Sequence, residues 1–182
     1  LTYYPDLSEC TGYWPSDRLL AVGWLEAEHP FETGQVDPSL VNRLQKFLRN
    51  PWQPKYSMGR HDCALCAKAN GSAQIFVAGT GGVYVAPLIL HYIQKHHYFP
   101  PQEFQEAVMT SPLPNRPGYF QALRASGADP VAMSMPAPQT WERMAPEWGM
   151  SLQQVEARMA ARAKELRAEY FTDESEAIEP GS

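Results

Sequence analysis

Two short patches of metal-type residues stand out, His61-Asp62-Cys63-Ala64-Leu65-Cys66 and His91-Tyr92-Ile93-Gln94-Lys95-His96-His97. Together they hold all but one of the 3 cysteines and all but one of the 5 histidines. Their spacing is C-x2-C-x24-H-x4-H, with His61 two residues before the first cysteine. Zinc takes four thiolate or imidazole ligands in a tetrahedron, and a C-x2-C with a nearby histidine pair supplies them from one chain. The ion is borderline soft and cysteine loses its proton on binding, so thiolates suit it. The favoured ligands are Cys63, Cys66, His91 and His96. His61 is the alternative for one histidine place, and His97 a weaker one. With three protein ligands, water would take the fourth position and the centre would be catalytic in kind, with Asp62 or Glu103 as candidate bases.

Two other readings stand beside the metal. The cysteines could be small buried hydrophobes, with His96 and His97 complementing a helix C-terminus. A redox C-x-x-C would need to open a helix, and the following Ala67-Lys68-Ala69-Asn70-Gly71 does not.

The elements that must position these ligands are legible in outline. Leu19 to Leu25 is an apolar run suited to a buried strand. Asp37-Pro38 starts a helix as N-cap and first-turn proline, and Leu40, Val41, Leu44, Phe47 and Leu48 recur at helical spacing up to Asn50-Pro51. Gln74 to Ala78 and Val83 to Ala86 are strand-like, and Gly79-Thr80-Gly81-Gly82 between them predicts a hairpin. Pro87 is expected to open a helix through about His97. On a regular helix, histidines five apart diverge by about 140°, so both reach one ion only if the helix ends or unwinds near His96. Further helices are expected over Gln102 to Met109 and about Gly118 to Ser126. Knuckle, hairpin, helix is the order of a treble-clef zinc finger.

After Gly127 the composition changes. Ala128 to Gln139 reads as a Pro/Ala/Met-rich linker or extended arm. Trp141 to Gly149 reads as a short helical piece. Ser151 to Gln154 fits a capping box for a long helix to about Tyr170, with a stripe of Leu152, Val155, Met159, Ala163, Leu166 and Tyr170. That stripe could pack on its own chain or pair with another. The acidic tail from Thr172 is expected to be disordered.

Other candidate positions have plainer explanations. His29, after the apolar run, could be a base, but a solvated loop histidine is the simpler reading. The glycine-rich 79–82 segment lacks the lysine and helix of a P-loop. No serine sits in a G-x-S-x-G elbow. Trp14, Trp24 and Trp52 read as core.

The net charge of −5 and the absence of a basic run argue against nucleic acid. The longest apolar run, Val83 to Leu90, is too short to span a bilayer. No signal-peptide pattern is visible, although the chain begins at Leu1. One isolated cysteine and a close pair make no disulfide framework, and a reducing, cytoplasmic location is expected. With 17 prolines and 14 Trp and Tyr residues (5 and 9), a loop-rich fold with aromatic burial is expected.

The runs GWLEAEHPFETG, NPWQP, GRHDCALC, IFV…VYVAP and LILHYIQKHHYFPPQEFQEAV resemble a group of small bacterial proteins of unknown function. These share a G-x-H-x-C-x-x-C element followed by an HYI-x-x-H-x-Y-x-P-P-x-E-F segment. The resemblance covers about residues 19 to 126. It implies that Cys63, Cys66, His91 and His96, with His61 beside them, belong to a shared core, and it implies no activity.

The expected fold is therefore α+β. A zinc-knuckle core domain spans residues 1–127, with a treble-clef-like arrangement of knuckle, hairpin and helix. Residues 128–182 form a linker, an amphipathic helix and an acidic tail. The expected function is non-enzymatic: structural zinc, and binding of another protein, with a basic partner suited to the acidic charge and the C-terminal helix as docking element. A toxin it neutralises or an assembly it joins would fit. A zinc-dependent hydrolase or nuclease with an open metal position is the alternative.

Overall fold

Leu19 to Leu25 is buried throughout, yet only β1 (Leu19–Ala21) is strand in the computed structural model. The structure describes residues 3–10, 18–54, 61–66, 68, 70–71 and 74–172. Trp14 and the acidic tail from 173 onward lie outside these residues. The chain divides into two compact units, residues 1–53 with 57–128, and residues 54–56 with 129–182.

In the first unit α1 (Pro38–Arg49) begins as its sequence predicts, with the Asp37 carboxylate accepting the Ser39 N–H at 2.7 Å. It buries Leu40, Leu44 and Phe47. Two strands of two residues each, β2 (His61–Asp62) and β3 (Asn70–Gly71), pair across the cysteine knuckle. Next come β4 (Gln74–Ala78) and β5 (Val83–Pro87), the expected antiparallel hairpin. Its turn demands glycine in a specific way: a Cβ on Gly79 would collide with the Tyr84 ring.

The three-stranded sheet runs β1-β5-β4, and β1 pairs with β5 in parallel, Leu19 opposite Val83. The sheet is thus mixed: its hairpin is antiparallel, as expected, and a long crossover lets β1 take the free side of it in parallel. Pro87 does not open a helix. It ends β5 opposite Gln74, and α2 (Ile89–His96) starts only after Leu88 takes a left-handed turn at φ 48°. Then follow α3 (Gln102–Thr110) and α4 (Tyr119–Ala125). The core is aromatic, as the composition implies: Trp24, Tyr84, Tyr92, Tyr98, Tyr119, Phe47, Phe76 and Phe104 are all at least 98% buried.

The β4 edge is closed by side chains. Gln74 and Phe76 are two apart, so their carbonyls share a direction along the strand. The Gln53 Nε2 donates to the Gln74 carbonyl at 2.6 Å, and the Tyr119 hydroxyl to the Phe76 carbonyl at 2.8 Å. Trp52 packs edge-on against Phe76, Tyr119 and Phe120 beside them. This removes bare acceptors from an edge that could pair with another strand.

The second unit corrects the expectation of an extended linker. The Asp129 carboxylate accepts the Val131 and Ala132 amides and caps α5 (Pro130–Met133). A short 3-10 turn, Pro138–Thr140, leads into α6 (Trp141–Glu147). Then α7 (Leu152–Tyr170) opens with both arms of the expected capping box on Ser151 and Gln154. Its stripe packs within the unit: Ala163 and Leu166 against Val131, and Val155 and Met159 against Ala145, with Met135 touching both clusters. The first residue of the stripe, Leu152, stays exposed, as does Trp148.

Tyr119→Phe keeps the ring and removes the hydroxyl that donates to the buried Phe76 carbonyl. It is expected to lower stability by about 1–3 kcal/mol, read as a shift in the urea unfolding midpoint with an unchanged slope.

Candidate metal centre

The four ligands come from two elements that the fold brings together. Cys63 and Cys66 sit in the tight turn that leaves β2, and His91 and His96 sit on α2. Their ligand atoms all lie within 4.8 Å of one another. Cys63 Sγ is 3.4 Å from His96 Nε2, Cys66 Sγ is 3.5 Å from His91 Nε2, and the two Nε2 atoms are 3.2 Å apart. A zinc tetrahedron with Zn–S about 2.3 Å and Zn–N about 2.0–2.1 Å has S···N edges of about 3.6 Å and N···N edges of about 3.3 Å. These three separations agree with such a tetrahedron to within a few tenths of an ångström, and the other edges are no longer than 4.8 Å. The cluster is suited to binding a metal ion.

How histidines five apart converge is visible at the end of α2. The His97 amide donates to the Tyr92 carbonyl, a bond spanning five residues instead of four, so the last turn is widened. His97 itself is left-handed, at φ 55°, and stops the helix. The strand-like pairing of Thr33 with Tyr98 then carries the chain away, with Gly34 N–H bonded to the His97 carbonyl at 2.8 Å. The helix therefore ends where both rings can face one point.

The electrostatics favour metal-ready protonation on the histidine side. Burial, then His96 and Lys95, hold the His91 pKa below the usual imidazole value, which keeps the ring neutral and able to ligate. Cys63 is buried. Burial raises its thiol pKa, partly offset by the Leu65 and Cys66 backbone amides. A cation at the centre would supply the compensation that burial denies the thiolate.

The other sequence candidates fall elsewhere. His61 lies in β2 opposite Gly71, and its side chain is outside the described residues. His97 is exposed and caps the helix, and it does not join the cluster. Asp62 is exposed, and Glu103 is in the first turn of α3 beside Tyr84. Neither is among the clustered groups. His29 is exposed and stacks on Tyr3 with ring centres 3.7 Å apart. Cys10 stands alone and buried, its thiol pushed up to about 12 by burial, which makes it an unreactive core residue.

Tyr92 is the residue that the motif did not reveal. It is fully buried, and its hydroxyl has no hydrogen-bond partner among the described residues. Burial, and then the neighbouring Cys63 and Cys66 thiols, raise its pKa. The hydroxyl is thus placed to donate to a Cys63 thiolate once a metal has displaced the thiol proton. Its only sequence signal was an aromatic residue next to a ligand histidine.

Such donors around a metal typically change affinity by about 10–100-fold. Tyr92→Phe is expected to weaken metal binding by roughly tenfold while the metal-loaded protein keeps its circular dichroism spectrum, as read by competition with a chromophoric chelator.

No curated protein matches this chain, and no solved structure does. A family model does match, over residues 2–109, a span that takes in both cysteines and both histidines of the cluster. The chain belongs to that family, whose description is a domain of unknown function, DUF7919.

Proposed function

We propose that this protein is a non-enzymatic zinc-binding protein that acts by binding another protein, and that its zinc is structural. The observation that carries this reading is the closure of the centre. Two sulfurs and two imidazole nitrogens lie within 4.8 Å of one another, and three of their separations are those of a zinc tetrahedron. A zinc ion there has its four places filled, as structural sites do, whereas a catalytic site keeps one open. Zinc is preferred to other ions because two thiolates and two imidazoles in a tetrahedron suit a borderline-soft ion with no geometric preference of its own. Thiolates that hold a metal, and a third cysteine with no partner, fit a reducing cytoplasm.

The zinc-dependent hydrolase or nuclease needs an open position and a nearby base. Among the described residues no carboxylate joins the ligand cluster.

Partner binding rests on the surface of the second unit. With the α7 stripe occupied by its own unit, the exposed Trp148 and Leu152 remain as apolar anchors where α6 gives way to α7. Arg158 lies over the Trp148 ring at 5.1 Å. The net charge of −5 would favour a basic partner through faster encounter.

Metal analysis of the full chain purified without added metal is expected to give one zinc per chain. Cys63→Ser and His91→Ala are each expected to lose it, with the thermal unfolding midpoint lowered by several degrees (~1–2 kcal/mol). Zinc retained by a stably folded His91→Ala but lost when His61→Ala is added would assign the place to His61, whereas zinc retained by the double variant would mean an open position and would overturn the structural reading in favour of the hydrolase. For the partner, Trp148→Ser with Leu152→Ser is expected to reduce capture of the bound protein at least tenfold without loss of helix content. Undiminished capture would remove this surface from the proposal.

A further inference from the structure

A second site lies where the N-terminal segment runs beside β1. Tyr4 bridges to Trp24, and the Leu7 amide donates to the Ala21 carbonyl at 2.8 Å. Between this segment and the loop from Leu25 to Thr33 is an open cleft of about 600 Å³, within the range of small-ligand sites. Its walls carry the rings of Tyr3, Tyr4, His29 and Phe31 and the carboxylates of Asp6, Glu26 and Glu32, and among the described residues no lysine or arginine lines it.

The cleft is built before any ligand arrives. Tyr3 stacks on His29 with ring planes 10° apart. Tyr4 meets Trp24 edge-on, with centres 5.4 Å apart, and Phe31 meets Tyr98 edge-on at 6.1 Å. Both oxygens of Asp6 are fixed, one by the Gly23 amide at 2.9 Å and the other by the Tyr98 hydroxyl at 2.7 Å. The loop is tied down by the Phe99 amide donating to the Glu32 carbonyl at 2.8 Å. Side chains held in this way lose little freedom when they bind.

The chemistry of these walls is complementary to positive charge. Aromatic faces are the negative side of the ring quadrupole and attract cations. Among the described residues, neither Glu26 nor Glu32 forms an ion pair. The donors to Asp6 are neutral, and although Asp6 keeps contact with solvent, partial enclosure still raises its pKa. The three carboxylates also do not converge on one point. Among the described residues, the side chains whose ligand atoms converge as a metal ion requires are those of the Cys/His centre. Dispersed carboxylates between rings suit a cation whose charge is spread over a hydrocarbon head, and do not suit a bare metal ion.

We propose that this cleft binds a small organic ammonium ion, held by the rings of Tyr3, Tyr4 and Phe31 and by the carboxylates of Asp6, Glu26 and Glu32. Titration calorimetry on the full zinc-loaded chain tests this with two probes, choline and 1,4-diaminobutane. The uncharged isostere of choline, 3,3-dimethylbutan-1-ol, is the control. At least one ammonium probe is expected to bind saturably with one site per chain, and the alcohol at least tenfold more weakly than choline. Tyr3→Leu and Glu26→Gln are each expected to weaken binding about three- to tenfold, in line with one cation–π or charge contact, with zinc content and circular dichroism unchanged. Failure of both probes to saturate, equal binding of the alcohol, or binding untouched by both variants would overturn the proposal. A lysine-rich peptide that binds where neither free amine does would also overturn it, assigning the cleft to a protein partner.

Discussion

On an unbroken α-helix, two side chains five residues apart point about 140° from each other, and no rotamer of two imidazoles brings both nitrogens onto one small ion. The centre therefore depends on how α2 is interrupted. The widened turn from Tyr92 to His97 supplies the missing rotation, and a left-handed His97 stops the helix immediately afterwards. The other end of α2 is set just as firmly, by a left-handed Leu88 after the last strand residue, Pro87. A non-glycine residue in this conformation costs about 1–2 kcal/mol. Two of them bracketing one eight-residue helix mean that the surrounding structure dictates where the helix begins and ends. The dictating contacts are visible: Ile89, Tyr92 and Ile93 are buried on one side, and the segment around Gly34 is bonded to the His97 carbonyl on the other.

What could be read in the sequence was local chemistry. The caps at Asp37 and Ser151, the glycine turn at 79–82 and the ligand spacing all act over a few residues, and the structure carries each of them. The requirement that the helix end near His96 was also legible, because it follows from geometry alone. What could not be read depends on distant partners. The parallel pairing of β1 with β5 joins residues more than sixty positions apart, and no local pattern records it. Pro87 carries two local meanings, helix start and strand end, and its pairing with Gln74 decides between them. The strands β2 and β3 are too short to have a periodicity at all.

The second unit shows the same division. Its capping box was plain, but the Pro/Ala/Met-rich stretch before it carried no helical period. Four residues make α5, little more than one turn, and its burial comes from Val131 meeting Ala163 and Leu166 on α7. An Ala-rich stripe is narrow and can bury only a little surface per residue. It needs partners on more than one flank, and α5 and α6 supply them in turn, with Met135 filling the space at both clusters. Met suits that role because it is flexible enough to fill irregular gaps. The Ser134 hydroxyl and Tyr170 hydroxyl, 2.9 Å apart, tie the far end of α7 back to the residue after α5.

The two halves of the metal centre are supported very unequally. The helix α2 follows a strand at the middle of the sheet and buries three of its eight residues, so it is held without any ion. The knuckle is flanked by two pairs of residues, His61 with Gly71 and Asp62 with Asn70. A two-stranded hairpin of that length is not stable by itself in water. Among the described residues, the four ligand atoms, the burial of Cys63 and the nearness of Cys63 to Tyr92 join it to the helix. A shared ion would thus fasten the weaker element to the stronger one, closing the chain between Cys63 and His96. With an ion bound, the knuckle would be the part whose order depends on it, because local opening follows the element with the fewest buried contacts. The sheet and its aromatic core are built from contacts the ion does not make.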